Sequence, residues 1–235
     1  KILSQLQDNL KIAGKDMIPI CQDTGMAVVF LEIGQDVHFE GGNLEDAVNE
    51  GVRQGYVEGY LRKSVVAEPL FNRKNTQNNT PAIIYIDIVP GDKVDIQVEL
   101  KGFGSENKSD VAMLVPADGV EGVKNAVLEI VKHAGPNPCP PIVLGIGIGG
   151  TMDQAAVMSK KALLRDISVP HKDADYAKLE EEIMEMVNKT GIGPQLGGTT
   201  TCIGVNIEWG ATHIAGLPVA VTIMCHAARH AHVVL

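Results

Sequence analysis

Cys21-Gln22-Asp23-Thr24-Gly25 sets a thiol, an amide, a carboxylate and a hydroxyl on consecutive residues, between Ile18-Pro19-Ile20 and the apolar run Met26 to Ile33. A proline-set turn running into a strand is a rigid mount on which a soft metal ligand and polar substrate contacts can sit side by side. The same residues also suit a packed thiol beside an ordinary Asp-Thr-Gly turn. Two further cysteines bear on the choice. Asn137-Pro138-Cys139-Pro140-Pro141 holds a thiol among prolines, where neither a helix nor a central strand forms and packing alone requires no such mount. Cys225-His226-Ala227-Ala228-Arg229-His230 follows the apolar strand Val219 to Met224, and a strand-end cysteine near an arginine suits a thiolate. His226, His230 and His232 suit either supporting contacts behind a ligand or plain surface positions.

The four cysteines, Cys21, Cys139, Cys202 and Cys225, contain no C-x-x-C pair and lie far apart in the chain. A disulfide framework does not suit so long a chain with so few cysteines, and structural zinc normally takes closely spaced pairs. Iron-sulfur ligation stays open, because a fold can bring distant thiolates together. Three other places carry polar chemistry. Arg62, in Leu61-Arg62-Lys63-Ser64, is a candidate fork for a carboxylate, whereas Lys63 reads as an ordinary cation near a helix end. The glycines of Lys101-Gly102-Phe103-Gly104-Ser105 can bring backbone N–H groups to an anion or merely form a flexible loop. His213 sits between two apolar segments, where a histidine is more often a bonded core residue than a catalyst.

These residues need elements to hold them. Asn43 with Asp46 reads as a helix start, and Leu44, Ala47, Val48, Val52 and Tyr56 predict a helix over about 44–66. Ala82 to Val89, the Pro90-Gly91-Asp92 turn and the alternating Lys93 to Leu100 predict an antiparallel hairpin. Val120 to Val131 carries a helical apolar face that Gly135-Pro136 ends, and Asp173 caps a further helix to near Gly191. Gly145, Gly147 and Gly150 match G-x-G-x-x-G between the Ile142 to Leu144 strand and a helix to about Asp166. Ser168 to Lys172 makes a poor second parallel strand, so a close backbone approach to another element or a small ligand is preferred over a dinucleotide. Gln195 to Thr201 is a turn-rich connector ahead of a strand from Ile203 to Trp209. The fold expected is a single α+β domain over 1–235, a mainly antiparallel or mixed sheet flanked by helices with the cysteine loops at one edge.

Composition narrows the partners. At 235 residues with 45% hydrophobic and 21% charged side chains, the chain has the makings of a folded core. A formal charge of -9 without a basic patch argues against nucleic acid and anionic membranes. No apolar run is long enough to span a membrane, and Lys1 to Leu10 lacks the zones of a signal peptide, so a cytoplasmic location is expected. The chain starts at Lys1 rather than methionine, and an N-terminal segment is expected to be missing.

Taken together, Cys-Gln-Asp-Thr-Gly, Asn-Pro-Cys-Pro-Pro, Gly-Ile-Gly-Gly-Thr and Cys-His-Ala-Ala-Arg make the chain resemble the iron-sulfur (class I) fumarate hydratases and the related L-tartrate dehydratases, specifically the alpha subunit of the two-chain form. The resemblance implies a [4Fe-4S] cluster held by Cys21, Cys139 and Cys225, with one iron left open as a Lewis acid for the hydroxyl and a carboxylate of malate. It implies substrate contacts at Gln22, Asp23, Arg62 and Gly104, and assistance with protonation from Asp23 and His213. Phe103 stands where many relatives have glycine. It further implies a hetero-oligomer in which a beta subunit supplies the remaining cations and a base. Reversible hydration of fumarate to malate is the first expectation and tartrate dehydration the second. A cluster-bearing sensor without hydro-lyase activity would need a fourth ligand, for which Cys202 is the remaining thiol. A nicotinamide enzyme built on Gly145 to Gly150 would bind its cofactor saturably.

Overall fold

The computed structural model describes residues 2–195 and 197–235; Lys1, where the N-terminal reading begins, and Leu196, within the connector, lie outside them. The chain runs α1 (Ile2–Asp16), β1 (Met26–Gly34), α2 (Leu44–Glu58), β2 (Ile83–Val89), β3 (Val94–Lys101), α3 (Phe103–Glu106), β4 (Asp110–Leu114), α4 (Gly119–Ala134), β5 (Ile142–Gly149), α5 (Met152–Ala162), α6 (Ala174–Asn188), β6 (Cys202–Gly210), β7 (Leu217–Met224) and β8 (His230–Val234). It divides into two compact units, Lys1–Phe103 with Ala227–Leu235, and Gly104–His226. Each unit has one mixed sheet, so the α+β class with mixed sheets flanked by helices is what forms.

The first unit orders its strands β2-β1-β3-β8. β1 is parallel to β2 and antiparallel to β3, and β8 closes the sheet antiparallel to β3. The expected hairpin of β2 with β3 therefore does not form: the two are joined by the Pro90-Gly91-Asp92 turn, but β1 lies between them. The cause is burial. Ala27 to Leu31 are buried without a break, on both faces of the strand, and such a strand needs a neighbour on each side. Ala27, Val29, Leu31 and Ile33 pack with Tyr56, Val48 and Val52 of α2. Asn43 caps α2, its Oδ1 accepting from Glu45 N at 2.8 Å. The helix ends at Glu58 rather than near 66, with Tyr60 at φ 54, so Arg62 follows it in a loop.

The second unit orders β4-β7-β5-β6, with β5 antiparallel to β7 and parallel to β6. Leu144, Ile146 and Ile148 pack with Val123, Val127 and Ile130 of α4 and with Leu179, Ile183 and Val187 of α6. Gly145 and Gly147 turn the opposite way. A Cβ on Gly147 would lie 2.0 Å from the Ala155 carbonyl oxygen, and one on Gly145 would lie 2.0 Å from that of Ser159. The glycine run is thus a strand pressed against α5, and the close approach is to another element. That helix ends at Ala162, short of Asp166. Asp173 caps α6 as its type predicts, accepting from Asp175 N at 2.9 Å. The sequence patterns did not point to α1 or β8. None of the described helices is long and apolar enough to cross a membrane.

Candidate active site and metal ligands

In the first unit the polar residues gather where the chain enters β1. Asp23 Oδ1 accepts from Gly25 N and its Oδ2 from Phe103 N, each at 2.9 Å. In the Lys101 to Ser105 loop it is Phe103, not a glycine, whose backbone N–H meets this carboxylate, and its own side chain is exposed. Gly25 has φ 69, and a Cβ there would lie 2.3 Å from the Lys101 carbonyl oxygen, so the turn admits only glycine.

Two buried side chains hold this turn from behind. The Tyr56 hydroxyl donates to the Thr24 carbonyl at 2.7 Å, with the Gly25 carbonyl 3.0 Å away. Asn79 Nδ2 donates to the Gly25 carbonyl at 3.1 Å, while its Oδ1 accepts from Ser64 N at 2.6 Å and Val65 N at 3.1 Å. Thr24 Oγ1 donates to the Arg62 carbonyl at 3.0 Å. One buried network thus fixes the backbone of Asp23 to Gly25 together with that of Arg62, while the Gln22 and Arg62 side chains stay exposed. Burial holds the Tyr56 phenol well above its ordinary range; Arg229 opposes this and Asp23 adds to it. Arg229 completes the frame, its Nη2 donating to the Asp23 carbonyl at 2.7 Å. Neither Asn79, in a loop read only as polar, nor Tyr56, read as one more inward helix residue, carried a local signal of this role. Their partners are remote in sequence.

In the second unit Cys139 is exposed and has φ 57, a left-handed backbone that non-glycine residues seldom adopt and that accumulates at functional sites. With its proton on Nδ1, His226 donates to the Cys139 carbonyl at 2.9 Å. The proline loop and the residue after Cys225 are thereby joined. Cys225 is half-buried at the end of β7, and Cys21, in the first unit, is half-buried too. Cys202 differs in kind. It is 2% exposed, its thiol donates to the Gly204 carbonyl at 3.1 Å, and burial pushes it up to about 12. To act as a fourth ligand it would have to leave a bonded place in the core.

His213 is exposed in the loop between β6 and β7, and its Nδ1 accepts from Ala215 N at 3.1 Å. In the neutral ring the proton then lies on Nε2, the nitrogen left for other partners. It is not the bonded core histidine its apolar flanks suggest. Gly104 is exposed in α3, and a Cβ there would meet nothing within 4 Å, so no neighbour in the fold demands glycine. Among the described residues, no group of three or more His, Cys, Asp or Glu is placed to hold a metal ion. The donor chemistry still fits an iron-sulfur cluster: three solvent-accessible cysteines, one on unusual backbone, and a fourth cysteine sealed away.

A carboxylate held by backbone N–H groups in the first unit and accessible thiols in each unit are the kinds of group that polarise small polar substrates. The comparisons specify the family. The family model described as fumarate hydratase (Fumerase) matches residues 1–234. The chain belongs to the fumarate hydratase family of hydro-lyases. It is 44% identical over 238 residues to the putative L(+)-tartrate dehydratase subunit alpha of Methanocaldococcus jannaschii, covering 97% of this chain and 82% of that protein. To the L(+)-tartrate dehydratase subunit alpha of Escherichia coli it is 36% identical over 228 residues, covering 94% and 74%. The same figures describe its match to the protein of that name in Shigella sonnei.

Proposed function

We propose that this chain is the alpha subunit of an L(+)-tartrate dehydratase, with fumarate hydration as the second reading. The supporting observation is the match along nearly the whole chain to relatives that carry the tartrate name. It reverses the order drawn from sequence motifs, which put fumarate first. The second reading keeps its place because the matching family model is described as fumarate hydratase.

Cys21, Cys139 and Cys225 would hold a [4Fe-4S] cluster, which when bound supplies a Lewis acid to the hydroxyl that leaves. The rest is work for the chain's own groups. Arg62 offers its fork, and Gln22 its amide, to the carboxylates of the substrate. Gly104 offers backbone approach without a side chain in the way. Asp23 and His213 hold and pass the proton that accompanies the departing hydroxyl, His213 through Nε2. Water loss from a 2,3-dihydroxy dicarboxylate leaves an enol that becomes a 2-oxo dicarboxylate. A beta subunit completes the site, a reading supported by the word alpha in the relatives' names. A cytoplasmic location suits three reduced thiols.

The test is anaerobic reconstitution of the chain with its partner, followed by assay on L-tartrate and on malate. The expected result is iron and sulfide in the product and a kcat/KM for L-tartrate at least about tenfold above that for malate. Malate turnover without tartrate turnover would reject the substrate, and turnover of neither would reject the hydro-lyase reading.

A further inference from the structure

Arg229 is held in a way that its contribution to folding does not explain. Its Nη2 donates to the Asp23 carbonyl, and its own carbonyl accepts from Leu100 N at 3.1 Å. Its Nε and Nη1, by contrast, are buried and have no hydrogen-bond partner among the described residues. A guanidinium cannot give up its charge, so two sealed nitrogens whose three N–H bonds are unmatched lower stability rather than raise it. The other bonds described at the Asp23 turn come from uncharged donors: Tyr56 to the Thr24 carbonyl, Asn79 to the Gly25 carbonyl, Thr24 Oγ1 to the Arg62 carbonyl, and Phe103 N and Gly25 N to the carboxylate. Stability would be served by a neutral residue at 229 as well. What a cation at 229 adds is a positive charge, buried at Nε and Nη1, beside the turn that carries Gln22 and Asp23.

We propose that Arg229 is a positioning residue for the hydro-lyase site, clamping the Cys21-Gln22-Asp23 turn through the Asp23 carbonyl and keeping a cation against it. The proposal rests on the functional reading above. Because Nε and Nη1 are sealed from solvent, Arg229 acts through the turn and does not touch the substrate. It is a different residue from the exposed Arg62, which the substrate can reach.

Arg229→Met, which removes the charge at similar length, and Arg229→Lys, which keeps it without the fork, test this in the chain assembled with its partner. The Met variant is expected to lose about 100-fold in kcat with KM changed by less than about threefold. Its melting temperature should stay within about 2 °C of the parent or rise. The Lys variant should recover at least about tenfold of the lost kcat. In the metal-free chain, hydrogen exchange of the Met variant should accelerate at Gly25 and Phe103, the amides bonded to Asp23, and not in the β5 core. A drop in melting temperature with general loss of protection, a Lys variant as slow as Met, or an unchanged kcat would each overturn it. If the parent enzyme turns over neither substrate, the functional reading fails by itself. The exchange experiment still decides the clamp: unchanged protection at Gly25 and Phe103 overturns it.

Discussion

Cys139 and Cys202 are the same side chain given opposite lives by their surroundings. One is exposed on left-handed backbone, the other sealed in the core with its thiol donated to Gly204. Iodoacetamide at pH 8 should therefore label Cys21, Cys139 and Cys225 in the folded, metal-free chain, and Cys202 only on unfolding, as read by peptide mass spectrometry. Cys202 also predicts an alkaline weakness. Its ordinary value is 9.0 and the folded value is about 12, so below 9.0 the thiol keeps its proton in both states. Above that, the unfolded chain alone releases it, and stability falls as pH climbs toward the folded value, by up to about 1.4 kcal/mol per pH unit. The melting temperature of the parent should accordingly lose ground to that of Cys202→Ala between pH 8 and pH 10.5. A constant gap between them would contradict the sealed thiol.

At the scale of elements, the arrangement rests on two close approaches. β5 reaches α5 because Gly145 and Gly147 present no side chain, and the atom a Cβ would strike is helix backbone, which cannot swing away. Gly147→Ala should lower stability by about 3 kcal/mol or more, seen as a large fall in melting temperature or as insoluble protein. The other approach is α2 to the turn before β1, made by Tyr56. Tyr56→Phe keeps the packed ring and removes the bond to the Thr24 carbonyl, which is expected to cost about 1–3 kcal/mol in urea melts and to reduce kcat. Helix caps at Asn43 and Asp173 and the apolar faces of α4 and α6 were readable locally, since each is set by residues within one or two turns. The hairpin was not. β2 and β3 look like natural partners by proximity, and only the double-faced burial of β1 places that strand between them.

For the whole molecule, charge sets the demand. On the proposed function, a chain of net charge -9 has to bind a dianion and needs local cations for it, and Arg62 has an exposed side chain beside the Asp23 turn. The isolated chain, even when reconstituted with iron and sulfide, is thus expected to give less than about 1% of the turnover of the assembled enzyme. Steady-state assays with and without the partner check this, and full activity of the chain alone would remove the need for a beta subunit. The sequence by itself determined the family, through three cysteine motifs in order, and the thiol, acid, arginine and histidine worth testing. It did so because metal and substrate chemistry constrain residue type and short-range spacing, which survive in a linear reading. The tertiary structure alone decided that Cys202 is sealed, that His213 is exposed, and that Tyr56, Asn79 and Arg229 frame Asp23. The frame depends on hydrogen bonds spanning tens to hundreds of residues, and that pairing, like the burial of Cys202 and the exposure of His213, exists only once the chain has folded.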